Sequence, residues 1–257
     1  MAKINRKDDE RMDFKKVLIT GGSGTLGREL IKVFPGSYAP SHEEMDVTDL
    51  EQVIEVVDHI DPDLIIHAAA MTDVRKCDDQ WQIADAINIG GTYNVAIAAD
   101  GMDAKLIHIS TACVFDGENA PFNESSKPFP KNHYALTKYV AEQVVQQVSE
   151  DYLIIRTNFV ARERWKYPAA FTDRFGSYLY ADDVAYAIKK IKRMNGLVHV
   201  CGDKKMSMYE LAKRTSPEVK EMTMADYWGP QLTRDMTLES KVIPHFKLGE
   251  YRYEGDV

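Results

Sequence analysis

Tyr134 and Lys138 stand four positions apart, a spacing that on a helix puts both side chains on one face about one turn apart. An ammonium beside a phenol stabilises the phenolate. It lowers tyrosine from its ordinary pKa of about 10, so that the group can exchange protons near neutrality. Ser110 and Thr111 close the apolar run that starts at Lys105, which would place two hydroxyls at the carboxyl edge of a strand, where open α/β sheets hold their ligands. The run Thr20-Gly21-Gly22-Ser23-Gly24-Thr25-Leu26-Gly27 follows the apolar Val17-Leu18-Ile19. Its G-x-x-G-x-x-G spacing turns backbone rather than side chain toward the turn, so a pyrophosphate can approach a helix N-terminus whose unpaired N–H groups and dipole attract anions. Each motif alone has a commonplace reading, as a glycine turn without a ligand or as an ordinary amphipathic helix. In this order in one chain, they point to a nicotinamide-dependent oxidoreductase.

The elements that would hold these residues alternate along the chain. Strands are expected at Lys16–Thr20, near Tyr38-Ala39, at Asp63–His67, Lys105–Ser110, Tyr152–Arg156 and Val198–Cys201. Between them the periodicity predicts helices over 26–34, 50–60, 81–99, from Tyr134 to about Val148, and over 181–194, with Thr48 or Asp49 as one N-cap and Ser207 capping a helix over 208–214. Short apolar strands alternating with amphipathic helices imply a doubly wound parallel sheet, α/β and Rossmann-type. Residues 1–13 read as a solvated, flexible tail, 14–160 as the dinucleotide-binding domain, and 161–257 as a small substrate-side lobe with some elements returning to the sheet.

Composition narrows the partners. The net charge is −8 and no basic cluster stands out, which argues against a nucleic-acid surface. No apolar run approaches the roughly 20 residues needed to span a bilayer. The N-terminus lacks the apolar core of a signal peptide, and Cys77, Cys113 and Cys201 are an odd number at irregular spacing that suggests neither a disulfide framework nor a zinc site. A cytoplasmic protein without a metal is expected. His67 and His108, on buried strands with no metal-spaced partner, read as structural histidines.

Several segments carry a family resemblance: TGGSGTLG (20–27), MDVTD (45–49), DPDLIIHAAAMTDV (61–74), STACVFDG (110–117), YALTK (134–138), IIRTNFV (154–160), DRFGSYLYADDVA (173–185) and GLVHVCG (196–202). From residue 16 onward the chain resembles the extended short-chain dehydrogenase/reductases and, within them, the dTDP-4-dehydrorhamnose reductase family. The resemblance implies that Gly21, Ser23, Gly24, Thr25, Leu26 and Gly27 surround the pyrophosphate of NADP or NAD, with Asp46 and Val47 near the adenine. Ala69, Ala70, Met71 and Thr72 would line the ribose and nicotinamide side, and Asn88 would take the family's helix-borne asparagine position. Tyr134 would protonate a carbonyl oxygen, Thr111 would hydrogen-bond the same oxygen, and Lys138 would bind the nicotinamide ribose and depress the tyrosine. Ser110, Ala112 and Phe159 would flank a nucleotide-sugar substrate, Phe159 standing where the rhamnose enzymes have a stacking tryptophan. A homodimer is within the family's range.

The departures from the family cluster on the substrate side. Ser-Thr-Asp-Tyr-Val-Phe becomes Ser-Thr-Ala112-Cys113-Val-Phe, Gly-Ser-Pro-Thr becomes Gly176-Ser177-Tyr178-Leu179, and the stretch between Arg156 and Asp173 is short. The reaction expected is reduction of a keto group on a nucleotide-linked sugar. A nucleotide-sugar epimerase shares every cofactor motif. A non-catalytic subunit, like the regulatory subunit of methionine adenosyltransferase, shares the fold. Ala39-Pro40-Ser41-His42 has no carboxylate to repel a 2′-phosphate, which favours NADPH slightly.

Overall fold

The structure, a computed structural model, describes residues 14–251; the expected tail over 1–13 lies outside them. Five strands form the central sheet in the order β1 (Val17–Thr20), β2 (Leu64–His67), β3 (Lys105–Thr111), β4 (Tyr152–Thr157) and β9 (Gly196–Val200), all parallel. The expected strand at Tyr38 is a single parallel bridge to Leu18 on the other side of β1. Its reach is cut by Pro40, which has no N–H to give a ladder. The chain thus goes to one side of β1 for Tyr38 and to the other for β2, so the strand order reverses at β1. Ligands of open sheets bind outside the carboxyl ends at such a point.

Helices cover both faces. α1 (Thr25–Val33) and α7 (Ala181–Ile191) bury Leu26, Leu30, Val184 and Ile188 against Ile19, Ile66, Ile107 and Ile155. On the opposite face α2 (Leu50–Ile60), α5 (Gly91–Gly101) and α6 (His133–Val148) pack on Leu18, Ile65, Leu106 and Ile154, the alternate residues of the same strands. Asp49, not Thr48, caps α2, accepting from Glu51 N and Gln52 N. The helix expected over 81–99 is broken into α4 (Trp81–Asp85), a π-helical turn (Ala86–Gly90) and α5, preceded by the short α3 (Val74–Asp79). Such π turns recur at functional sites, and this one carries Asn88.

After β4 the chain leaves the sheet for a set of short pairings. β5 (Phe159–Val160) pairs with β8 (Leu179–Tyr180), and β6 (Ala169–Phe171) with β11 (Lys220–Met222). β7 (Phe175–Gly176) lies between β10 (Met206–Ser207) and β12 (Asp235–Met236). Ser207 caps α8 (Met208–Ala212) through a capping box with Glu210. A cluster containing Tyr178, Met206, Leu211, Met236 and Leu238 packs against Ala112, Val114 and Phe115, so this lobe sits on the turn that follows β3.

Candidate active site

The glycine turn fits an anion. Gly24 is the N-cap of α1 and no side chain caps that helix, which leaves its first N–H groups to a ligand. Gly21 has φ +71°, and a Cβ there would lie 2.7 Å from Ala69 N, so the turn and the loop after β2 touch backbone to backbone. A Cβ on Gly27 would stand 2.1 Å from Gly21 O. Ser23 and Thr25 sit on the same turn, where Arg28, a residue the motif reading passed over, donates to Ser23 O at 3.3 Å.

Across the switch point, Met71 is held at both ends by Asn88, whose Oδ1 accepts from Met71 N at 2.7 Å while Nδ2 donates to Met71 O at 3.0 Å. Asn88 is fully buried, and its side chain holds the Ala69–Thr72 loop through the Met71 backbone. Asp46 is likewise occupied: Oδ1 accepts from Thr48 N and Thr48 Oγ1, both at 2.9 Å. These bonds hold the Asp46 carboxyl below its ordinary range. Val47 is buried, its carbonyl accepting from Asn94 Nδ2 at 2.9 Å.

Thr111 ends β3, and Tyr134 is the second residue of α6, whose N-cap Asn132 accepts from Ala135 N at 2.9 Å. Tyr134 approaches Thr111 closely enough for that hydroxyl to act on the phenol. Thr111 Oγ1 also accepts from Cys113 N at 3.1 Å, so its single proton remains to be donated. Burial is the largest influence on the Tyr134 phenol and pushes it up, the neighbouring Cys113 and Cys77 add to this, and Thr111 opposes it.

Lys138, on α6, reaches β3. Its amine, buried, donates to His108 Nε2 at 3.3 Å, and it is not among the groups that set the tyrosine's pKa. Burial lowers Lys138 to about 8, with Glu142 opposing. Ser110 also has a buried partner: its hydroxyl donates to the Glu142 carboxylate, which takes two further bonds from Arg156 at 2.8 and 2.6 Å. Ala112 is fully buried in the lobe core. Phe159, on β5, packs against the core under α1 and α7.

The segment 228–236 is tied down beside these elements. Arg75 donates to Trp228 O, Asn132 Nδ2 to Gln231 O at 2.8 Å, Arg174 Nε to Thr233 O at 3.0 Å and Thr233 Oγ1 to Phe115 O at 3.0 Å. At its end Cys113 Sγ lies 3.4 Å from Met236 Sδ, which gives the thiol a packing contact. His67 bonds through both ring nitrogens, but His108 Nδ1 is buried without a partner. Among the described residues no group of His, Cys, Asp or Glu could hold a metal ion, and no helix is long and apolar enough to cross a membrane.

A doubly wound sheet with a glycine-capped first helix, and a tyrosine meeting a strand-end threonine, defines a Rossmann-type protein of the extended short-chain dehydrogenase/reductase class. The RmlD substrate binding domain model matches residues 15–175, and the chain belongs to that family. Among its relatives, the Probable low-salt glycan biosynthesis reductase Agl14 of Haloferax volcanii is 35% identical over 158 residues, a match covering 55% of this chain and 52% of that one. Methionine adenosyltransferase 2 subunit beta of Rattus norvegicus is 26% identical over 95% of this chain and 86% of its own. The solved dTDP-4-dehydrorhamnose reductase of Bacillus anthracis, in complex with NADP, superposes with a TM-score of 0.81 at 28% identity, covering 88% of this chain and 90% of the other.

Proposed function

We propose that this chain is an NAD(P)H-dependent oxidoreductase that reduces the keto group of a nucleotide-linked sugar, a dTDP-4-keto-6-deoxy hexose. The observation that carries this reading is the approach of Tyr134, at the start of α6, to Thr111 at the carboxyl end of β3, one strand away from the Ala69–Thr72 loop. The residues fit the cofactor: the uncapped N-terminus of α1 and the backbone approach of Gly21 to Ala69 leave room for a pyrophosphate. A bound nicotinamide supplies the hydride. Tyr134 delivers its proton to the carbonyl oxygen as charge develops there, and Thr111 donates a hydrogen bond to the same oxygen. Lys138 serves the ribose side from its seat on His108.

Tyr134→Phe tests the assignment. With NADPH and a dTDP-4-keto-6-deoxy sugar, the variant is expected to keep cofactor affinity and lose turnover by about 10²-fold or more, the scale of positioned acid–base catalysis. Reduction at the wild-type rate would remove the tyrosine from the reaction. For cofactor choice, calorimetry is expected to show NADPH bound at least as tightly as NADH. Ser41 and His42 offer donors to a 2′-phosphate, and His42 is exposed, 3.8 Å from Asp46. Tight NADH binding with undetectable NADPH binding would refute the preference.

The family likeness to methionine adenosyltransferase 2 subunit beta extends over 95% of the chain and supports a second reading, a cofactor-binding subunit without catalysis. Retention of Thr111, Tyr134 and Lys138 together speaks for the enzyme. Epimerisation is less favoured, because Cys113 packs on Met236 and the loop 158–171 has no histidine to complete an acid–base pair. The three free cysteines suit a reducing cytoplasm. Exposed Trp81 and Ile83 on α4 and Leu136 on α6 support a homodimer.

A further inference from the structure

A chain of buried hydrogen bonds runs from the end of β1 to the first turn of α6, and its polarity can be followed proton by proton. Ala69 N donates to Thr20 Oγ1 at 3.2 Å, and Thr20 Oγ1 lies 2.7 Å from His67 Nδ1. His67 Nε2 lies 3.0 Å from Thr92 Oγ1, and that hydroxyl donates to Asn88 O at 2.7 Å. Asn88 Nδ2 donates to Thr137 Oγ1 at 2.9 Å, which donates to Tyr134 O at 2.8 Å. Thr20, His67, Asn88, Thr92 and Thr137 are all buried.

A hydroxyl has one proton. The proton of Thr92 goes to Asn88 O, so Thr92 Oγ1 receives from His67, and the imidazole carries its proton on Nε2. His67 Nδ1 is then bare and takes the one proton of Thr20, whose oxygen is left to accept from Ala69 N. Every donor has one acceptor and the ring is neutral. Burial and the nearby Lys138 ammonium favour the neutral form, holding His67 at about 3. Asn88, midway along this relay, also grips both polar atoms of the Met71 backbone.

We propose that His67, as the neutral Nε2–H tautomer, is a positioning residue that couples the Ala69–Thr72 loop to the backbone of Tyr134 through Thr92, Asn88 and Thr137. The inference deepens the proposed reductase reading and rests on it for the roles of loop and tyrosine. The hydrogen-bond relay itself is readable without a substrate. In such a network the two tautomers are not equivalent: the Nδ1–H form would reverse Thr20 and Thr92 together, leaving the Thr20 proton without its acceptor and Asn88 O without the Thr92 proton. Thr92 is the link to cut, because Thr92→Val keeps the shape and removes the hydroxyl, whereas Thr92→Ser keeps the hydroxyl.

The test is NMR on ligand-free protein labelled at histidine nitrogens, tyrosine ring carbons and methionine methyls, followed by NADPH titration. The expected result is an Nε2–H signature for His67 that does not titrate between pH 5 and 9. Thr92→Val should shift the Tyr134 ring and Met71 methyl signals and weaken NADPH binding about tenfold, the scale of one buried polar group left unpaired. Thr92→Ser should restore all three. An Nδ1–H tautomer or an imidazolium at pH 7 would overturn the proposal, as would unshifted Tyr134 and Met71 signals in a folded Thr92→Val. Should wild-type protein bind no NADPH, the reductase reading falls, while the tautomer and ring signals still decide the relay.

Discussion

Lys138 is where residue type and residue environment part company. The spacing to Tyr134 places both on one helix face, yet the amine sits on His108 Nε2 and the phenol is governed by burial and by Cys113. With its folded pKa lowered to about 8 against about 10.4 in an unfolded chain, Lys138 costs stability while it is charged. The unfolded state holds more protons between these two values, so wild-type stability rises as pH climbs from about 8 to 10.4. In the ligand-free protein, Lys138→Met is expected to lack this rise. The gap between variant and wild type should be widest below pH 8 and shrink on the order of 3 kcal/mol by pH 10.4. Urea melts across that range check it, and a pH-independent gap would contradict the buried lysine. Cys113 shows the same dependence on surroundings: a thiol two residues from Thr111 could act as an acid or base, and here its Sγ lies 3.4 Å from Met236 Sδ.

At the scale of elements, the turn between β1 and α1 and the π turn in front of α5 do most to shape the cleft. The glycine turn has no slack. A Cβ on Gly27 would stand 2.1 Å from Gly21 O and 2.7 Å from Gly22 Cα, and these are backbone atoms that cannot rotate aside. Gly27→Ala is therefore expected to push α1 off the turn, destabilise the fold by about 1–3 kcal/mol and weaken NADPH binding at least tenfold. Thermal melts and cofactor titration check both halves, and an alanine variant with wild-type affinity would show that the turn does not hold the pyrophosphate. The π turn was not legible, because Trp81–Ala99 has the composition of one helix. Only the demand that Asn88 reach the Met71 backbone reveals why a residue is inserted there.

Across the whole molecule, one sheet face changes character along its strands. Leu18, Ile65, Leu106 and Ile154 bury apolar side chains under α2, α5 and α6. Two residues later in each strand stand Thr20, His67, His108 and Arg156, every one buried. The core is thus apolar at one end of the sheet and hydrogen-bonded at the carboxyl end where the cleft opens. The Glu142–Arg156 pair ties α6 to β4 there, with side chains 0% and 4% exposed. Glu142→Ala would leave a buried guanidinium without its partner and is expected to cost about 3–5 kcal/mol, a fall in melting temperature on the order of 10 °C. Calorimetry checks it, and a variant that melts with wild type would mean the pair is solvated.

The sequence by itself determined what is local and periodic. Alternating apolar runs specify strands and helices, Asp49 and Ser207 specify helix starts, and the glycines at 21, 24 and 27 specify a turn that only small residues can make. Thr111 and Tyr134 were legible as partners because a strand end and a helix start fall at one edge of any parallel sheet. Only the tertiary structure decided which polar groups were free. Ser110, Asp46, Asn88 and Lys138 look available in the sequence. Glu142, Thr48, the Met71 backbone and His108 engage them instead. Those partners lie on other elements or across a turn, and a buried polar group takes whichever partner the fold brings within reach.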